Sequence, residues 1–225
     1  MESSVFNQKA EDYALYRPQY HSNAIKVLID ITGMKSDWCV ADIGSGTGNV
    51  SRHFVEKVQN VFAVEPERAM RYQAELLLVQ YSSFKSIDAA AEATTLDDHS
   101  IDLITIGQAS HWIDWDKALK EFKRIIKPEG WIAIIWNQYE TTPDINVDFI
   151  FNPCTKKDYS FPSVINETWA EYIGGIRSAS RNPSPADEEY EAFEQKHRKR
   201  FGLQAVDGLI SVRYTTELTV GRLKD

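Results

Sequence analysis

Residues 40–48 read Val-Ala-Asp-Ile-Gly-Ser-Gly-Thr-Gly, with an acid two places before a set of alternating glycines. A hydrophobic stretch from Trp38 to Ile43 leads into this run, and Val50, Phe54 and Val58 share one face after it. The order predicts a strand over 38–43, a tight turn and a helix over 49–58. That is the ligand-binding corner of a doubly wound α/β sheet. The glycines fall at Gly44, Gly46 and Gly48, whereas the dinucleotide pattern G-x-G-x-x-G would need a glycine where Asn49 stands. A pyrophosphate at the helix N-terminus would be repelled by the Asp42 carboxylate. A ligand with an ammonium group and no phosphate would be attracted by it.

Glu65 ends a short apolar run, Val61 to Val64, and precedes Pro66. At the carboxyl end of a strand, a carboxylate can accept hydrogen bonds from both ribose hydroxyls of an adenosine. It can also simply complement the dipole of the helix that Pro66 opens. His111 follows the run Ser100 to Gly107 and offers either proton transfer or a wall to a pocket. Trp112, Tyr13 and Tyr16 could present aromatic faces to a cation, and Arg17 could meet a carboxylate or stay solvated. Lys196 to Arg200 ends a segment that begins with acids, the order a solvated helix prefers. No residues show metal-ligand spacing, and no G-x-S-x-G elbow is present.

These residues need a scaffold, and the hydrophobic periodicity supplies one. Strands are predicted over 38–43, 61–64, 84–88, 100–107 and 131–136. A helix over 20–32 ends at Gly33, and another runs from Pro66 to about Gln80. A third carries Trp115, Ala118, Leu119, Phe122, Ile125 and Ile126 on one face and stops at Lys127-Pro128-Glu129-Gly130. Strands alternating with helices require a mainly parallel sheet. Regularity breaks between Asn137 and Pro185, which hold five of the eight prolines. Helices are expected near Asn166–Ile173 and Ala186–Phe201. A final strand over Ile210–Val220 is expected to run antiparallel at or near an edge.

The chain has 225 residues, is 43% hydrophobic and carries a net charge of −8. Such a charge argues against general nucleic-acid affinity. The longest strongly apolar run, Trp131 to Trp136, is too short to span a bilayer, and the N-terminus lacks an apolar signal region. Cys39 and Cys154 have no motif spacing and suit a cytoplasmic protein.

Asp42 with its glycine loop, then Glu65, then Ala91-Glu92 before Ser100-Ile101-Asp102-Leu103, then Ile126-Lys127-Pro128-Glu129-Gly130, resembles the class I S-adenosylmethionine (SAM)-dependent methyltransferases over residues 38–136. Tyr13…Arg17-Pro18-Gln19-Tyr20, Gln108-Ala109-Ser110-His111-Trp112 and Tyr214-Thr215-Thr216 resemble one branch of that family. It comprises the ubiquinone/menaquinone-biosynthesis and trans-aconitate methyltransferase type. The resemblance implies a Rossmann-like, doubly wound, mostly parallel seven-stranded sheet with its last strand antiparallel. It implies SAM held by Asp42, Gly44, Ser45, Gly46, Thr47 and Gly48, with Asp42 near the ammonium. Glu65 would hold the ribose, Ala91 and Glu92 would border the adenine, and Gln108 and Ala109 would line the floor near the departing methyl. His111 becomes the catalytic candidate, and Tyr13, Arg17 and Trp112 the acceptor-side candidates.

The expected layout is one domain over 1–225, with cap helices in 1–36, the cofactor core in 37–136, and a lid with C-terminal strands in 137–225. The connection from Asn137 to Tyr159 is short for this branch. The acceptor would be a small molecule methylated at O, N or C, with neither nucleic acid nor membrane as partner; oligomeric state is unreadable. A non-catalytic SAM- or nucleotide-binding module and an NAD-dependent oxidoreductase are the alternative readings.

Overall fold

The computed structural model describes residues 2–139 and 146–224. Five strands make up the first part of the sheet: β1 (Cys39–Ile43), β2 (Asn60–Val64), β3 (Phe84–Ile87), β4 (Ile101–Gly107) and β5 (Ile126–Gln138). Helices α1 (Glu2–Tyr16) and α2 (Ser22–Thr32) precede them, α3 (Arg68–Leu78) joins β2 to β3, and α4 (Trp115–Ile125) joins β4 to β5. The chain then forms β6 (Lys157–Glu167), α5 (Trp169–Arg177), α6 (Tyr190–Gln204) and β7 (Ile210–Gly221).

Among the described residues the strands make one seven-stranded sheet in the order β3-β2-β1-β4-β5-β7-β6. The first five strands are parallel, and β7 runs antiparallel to β5. This is the Rossmann-like doubly wound sheet that the alternating pattern requires. Strand order reverses between β1 and β4, and in such sheets ligands bind at the carboxyl ends of the strands at that reversal.

Burial on both faces explains why the central strands read as nearly continuous apolar runs. Along β1, Val40 joins a cluster with Leu28 of α2, Phe54 and Leu103, while Ala41 and Ile43 join another with Phe122 of α4, Ile104 and Ile134. Each fully buried Ile or Phe contributes about 1.5–3 kcal/mol of transfer free energy. No described helix is long and apolar enough to cross a membrane.

The residues divide into two compact units. One contains the chain up to Gln19 and Ser163–Tyr214; the other contains Tyr20–Pro162 and the segment from Thr215 onward. The cap expected over 1–36 therefore divides, because α2 packs with the sheet. In the first unit the Arg177 guanidinium pairs with both oxygens of Asp12, and Lys9 donates to the carbonyls of Ser180 and Asn182. Thr168 and Glu171 form a reciprocal cap at the start of α5. Phe201 of α6 meets Trp169 edge-on and packs against Tyr172.

Several elements differ from expectation. The helix expected over 49–58 is a single 3-10 turn, Ser51–His53, within a series of turns. The Ser51 N–H, which a helix starting at Asn49 would leave without a carbonyl partner, donates to the Asp42 carboxylate. The helix expected near Asn166 starts at Trp169, because β6 continues to Glu167. That strand lies at the sheet edge, where Pro162 is tolerated since no inner partner needs its missing N–H. The helix expected over 186–201 starts and ends a few residues later, at Tyr190 and Gln204. Within the short connection after Asn137, residues 140–145 lie outside the described residues.

Candidate active site at the carboxyl ends of the central strands

The loop after β1 turns through three glycines with positive φ: +63° at Gly44, +55° at Gly46 and +83° at Gly48. A Cβ on Gly44 would stand 2.5 Å from the Ala109 Cβ, so the loop lies directly against the segment leaving β4. The loop is fixed by Ser45 N–H donating to the Val64 carbonyl at 3.1 Å and Gly48 N–H donating to the Ser45 carbonyl at 2.9 Å.

Glu65 is buried at the end of β2. Its Oε2 accepts the Gly46 N–H and its Oε1 the Glu67 N–H, both at 2.9 Å. Each oxygen therefore keeps acceptor capacity. Burial pushes the Glu65 carboxyl above the ordinary range, against the lowering effect of those two backbone bonds. Arg71 of α3 fixes this corner by donating to the carbonyls of Glu65 (2.9 Å) and Pro66 (2.8 Å) while pairing with Asp88.

The hydroxyls of Ser45 and Thr47 are buried without a hydrogen-bond partner among the described residues. A buried, unmade hydrogen bond costs roughly 1–3 kcal/mol. Two such groups in one glycine loop fit a polar ligand that would satisfy them. The residues present therefore suit SAM, which offers a carboxylate, an ammonium and ribose hydroxyls.

Asp42 has no exposed surface. Its Oδ2 accepts the Ser51 N–H (3.0 Å) and hydroxyl (2.6 Å), and its Oδ1 accepts the Thr105 hydroxyl (3.1 Å). The carboxylate thus stands behind the loop and braces it. Burial outweighs these hydrogen bonds and raises its pKa to about 6. Between about pH 4 and 6 the folded chain retains a proton that the unfolded chain has released. Stability should therefore fall as pH rises through this window and level off above it, a change on the order of 3 kcal/mol. Urea unfolding from pH 4 to 7 checks this, because Asp42→Asn should remove that part of the slope while keeping the same hydrogen-bond shape.

Ala91 is buried after β3, and Glu92 accepts the Asp114 N–H at 2.8 Å, tying that segment to the start of α4. Gln108 leaves β4 with φ +58°, a left-handed conformation rare for a residue with a side chain. Its amide donates to the Asn137 carbonyl at 3.2 Å. His111 and Trp112 occupy a 3-10 turn with ring centroids 5.0 Å apart, and Trp112 is 70% exposed. Trp115 is half-buried; its indole donates to the Ser110 carbonyl and its ring meets Phe122 and Phe149 edge-on. Tyr13 and Arg17 belong to the first unit, where the guanidinium lies 4.9 Å over the Tyr13 ring.

Thr105, Ser51 and Arg71 were not singled out from the sequence. Thr105 is the register partner of Asp42 across β1 and β4, which only strand pairing reveals. Arg71 lies six residues after Glu65 and carried a readable signal, since a helix opening at Pro66 directs its first turns back over the strand end.

Residues 41–134 match the family model described as a methyltransferase domain. An uncharacterized methyltransferase of Mycobacterium bovis is 31% identical over 135 residues, covering 60% of this chain and 53% of its own length. A ubiquinone/menaquinone biosynthesis C-methyltransferase of Idiomarina loihiensis is 29% identical over 114 residues, 48% of this chain and 45% of that one. The chain spans about half the length of these curated relatives. A SAM-dependent methyltransferase of Geobacter sulfurreducens, solved with S-adenosyl-L-homocysteine, superposes with a TM-score of 0.58 at 13% identity, over 97% of this chain and 98% of that one. At that identity the likeness concerns the fold. Within residues 41–134 the loop, Glu65 and Gln108 all stand at the carboxyl ends of β1, β2 and β4, the edge that the strand-order reversal marks.

Proposed function

We propose that this chain transfers the methyl group of SAM to an O, N or C atom of a small-molecule acceptor in the cytoplasm. The observation that carries the reading is the buried Glu65 carboxylate facing the Gly46 backbone beside the unpartnered hydroxyls of Ser45 and Thr47. Supporting it are the methyltransferase relatives and a structural neighbour solved with S-adenosyl-L-homocysteine. A net charge of −8 favours a small acceptor over nucleic acid.

In this reading SAM supplies an electrophilic methyl on a positively charged sulfur, and its transfer is an in-line displacement. Glu65 accepts the ribose hydroxyls, Ala91 and Glu92 border the adenine, and Ser45 and Thr47 donate to the amino-acid end. Asp42 holds the loop shape through Ser51 and Thr105. Gln108 and Ala109 wall the reacting centre, so alignment and exclusion of water provide most of the acceleration. His111 accepts the acceptor's proton where a hydroxyl is methylated.

Calorimetry with SAM, together with transfer of tritiated methyl to a panel of acids, phenols and amines, tests the reading. Micromolar binding and labelled product are expected. Binding no tighter than millimolar, or binding of NADH in its place, would overturn it. If catalysis needs the His111 imidazole, His111→Ala should lower turnover roughly 10²–10⁴-fold with SAM affinity unchanged. A loss under threefold would leave the histidine as a pocket wall.

A further inference from the structure

Gln108 turns through a left-handed conformation between two neighbours that have little room. A Cβ on Gly107 would stand 2.5 Å from Val50 Cγ2 and 2.8 Å from the Tyr20 hydroxyl, and the Ala109 Cβ rests against Gly44. Left-handed backbone persists in a residue with a side chain only where its surroundings over-determine it. Here β5 supplies the restraint. The Gln108 N–H donates to the Ile135 carbonyl and its side-chain amide to the Asn137 carbonyl, both at 3.2 Å. The end of β5 therefore decides where Gln108 stands.

That strand end is in turn set by a buried polar chain running through β7 to the start of α2. Asn137 faces Thr216 in the antiparallel register, and both are buried, Thr216 completely. Thr216 Oγ1 accepts the His21 N–H at 3.0 Å and donates to Asn137 Oδ1 at 2.7 Å. A hydroxyl has one proton, and a backbone N–H can only donate. The proton thus goes to Asn137, whose amide must present its oxygen here. His21 is anchored as the N-cap of α2, with Nδ1 accepting the Asn23 N–H, and its ring stacks on Phe161. All of these residues lie in the second unit.

We propose that Thr216 and Asn137 are positioning residues for methyl transfer, holding the strand end that keeps Gln108 in its left-handed turn beside the reacting methyl. The proposal rests on the methyl-transfer reading, although neither residue needs to touch SAM. If packing were the whole role of Thr216, valine would serve as well, because it has the same shape. The hydroxyl is what joins His21 to Asn137. Since Ala109 rests on Gly44, the same restraint also steadies one side of the glycine loop, and SAM affinity reports on it.

Hydrogen–deuterium exchange of the full chain without ligand reads the restraint, and calorimetry with SAM reads its consequence. Thr216→Val should speed exchange in residues 107–110 about tenfold beyond what its urea stability accounts for, because a buried hydrogen bond is lost. SAM affinity should fall by about the same factor. Thr216→Ser keeps the hydroxyl and should return both to within about threefold of wild type. Asn137→Ala retains the carbonyl that Gln108 uses, yet should loosen the same four residues. In Gln108→Gly a positive φ carries little penalty and the amide tie is gone, so adding Thr216→Val should change exchange there less than about twofold. Unchanged exchange in Thr216→Val, a rise spread evenly over the sheet, or an effect undiminished in Gln108→Gly would overturn the proposal. A wild-type chain that binds no SAM would sink the methyl-transfer reading instead, while exchange alone decides whether Gln108 is held.

Discussion

Glu65→Ala is expected to weaken SAM binding by at least about 100-fold while the chain remains folded. A carboxylate accepting two ribose hydroxyls makes charge-assisted hydrogen bonds of about 1.5–3 kcal/mol each, and 2.7 kcal/mol already corresponds to two orders of magnitude. The alanine also frees the Gly46 and Glu67 N–H groups that Glu65 now accepts, so the loop loses its anchor together with its ligand contact. Glu65→Gln keeps the shape and one acceptor oxygen and should lose about tenfold. Because burial raises the Glu65 pKa, affinity should decline on acidification at a higher pH than an ordinary glutamate would dictate. Calorimetry on the three proteins between pH 5 and 8 measures all of this. Alanine affinity within threefold of wild type would remove Glu65 from the site.

The second large effect is expected at Gly44. Alanine there must adopt φ +63° and place its Cβ 2.5 Å from that of Ala109, closer than two carbons can approach. Left-handed strain costs about 1–2 kcal/mol, and relieving the overlap moves the strained segment at Gln108. A stability loss of about 2–4 kcal/mol with loss of SAM binding is expected, read by urea denaturation and calorimetry. Gly46 has a similar φ, +55°, but nothing within 4 Å of a Cβ. Gly46→Ala should therefore cost only about 1 kcal/mol. Equal losses at the two positions would refute the contact argument.

How far the sequence revealed this arrangement depends on how local each signal was. β1, β4 and β5 are read from runs such as Ile101–Gly107 because both faces are buried and every residue type agrees. Helix α4 is read from Trp115, Phe122 and Ile125 at helical spacing. The edge strand β6 escapes, since its alternation of Tyr159, Phe161 and Ile165 is interrupted by Pro162 and half of it faces solvent. The turns after the glycine loop escape for another reason: Val50, Phe54 and Val58 keep helical spacing and are buried as a helix face would be, although the backbone is a series of turns whose Ser51 N–H donates to Asp42. The same long-range contact determines what Asp42 does. An acid before a glycine loop is visible in one dimension, whereas its burial against Thr105 depends on the register of two strands far apart in the chain.

The division of the first unit between two distant segments of the chain constrains the order in which it can fold during synthesis. Asp12 leaves the ribosome early, but Arg177, its partner, lies 165 residues later. At 5–20 residues per second the α1 segment waits about 10–30 s for the residues it packs against. The sheet, too, lacks β7 until residues 210–221 have been made, so until then β5 has one side unpaired. Neither the first unit nor the sheet can therefore be completed on the ribosome before α5 and β7 have emerged.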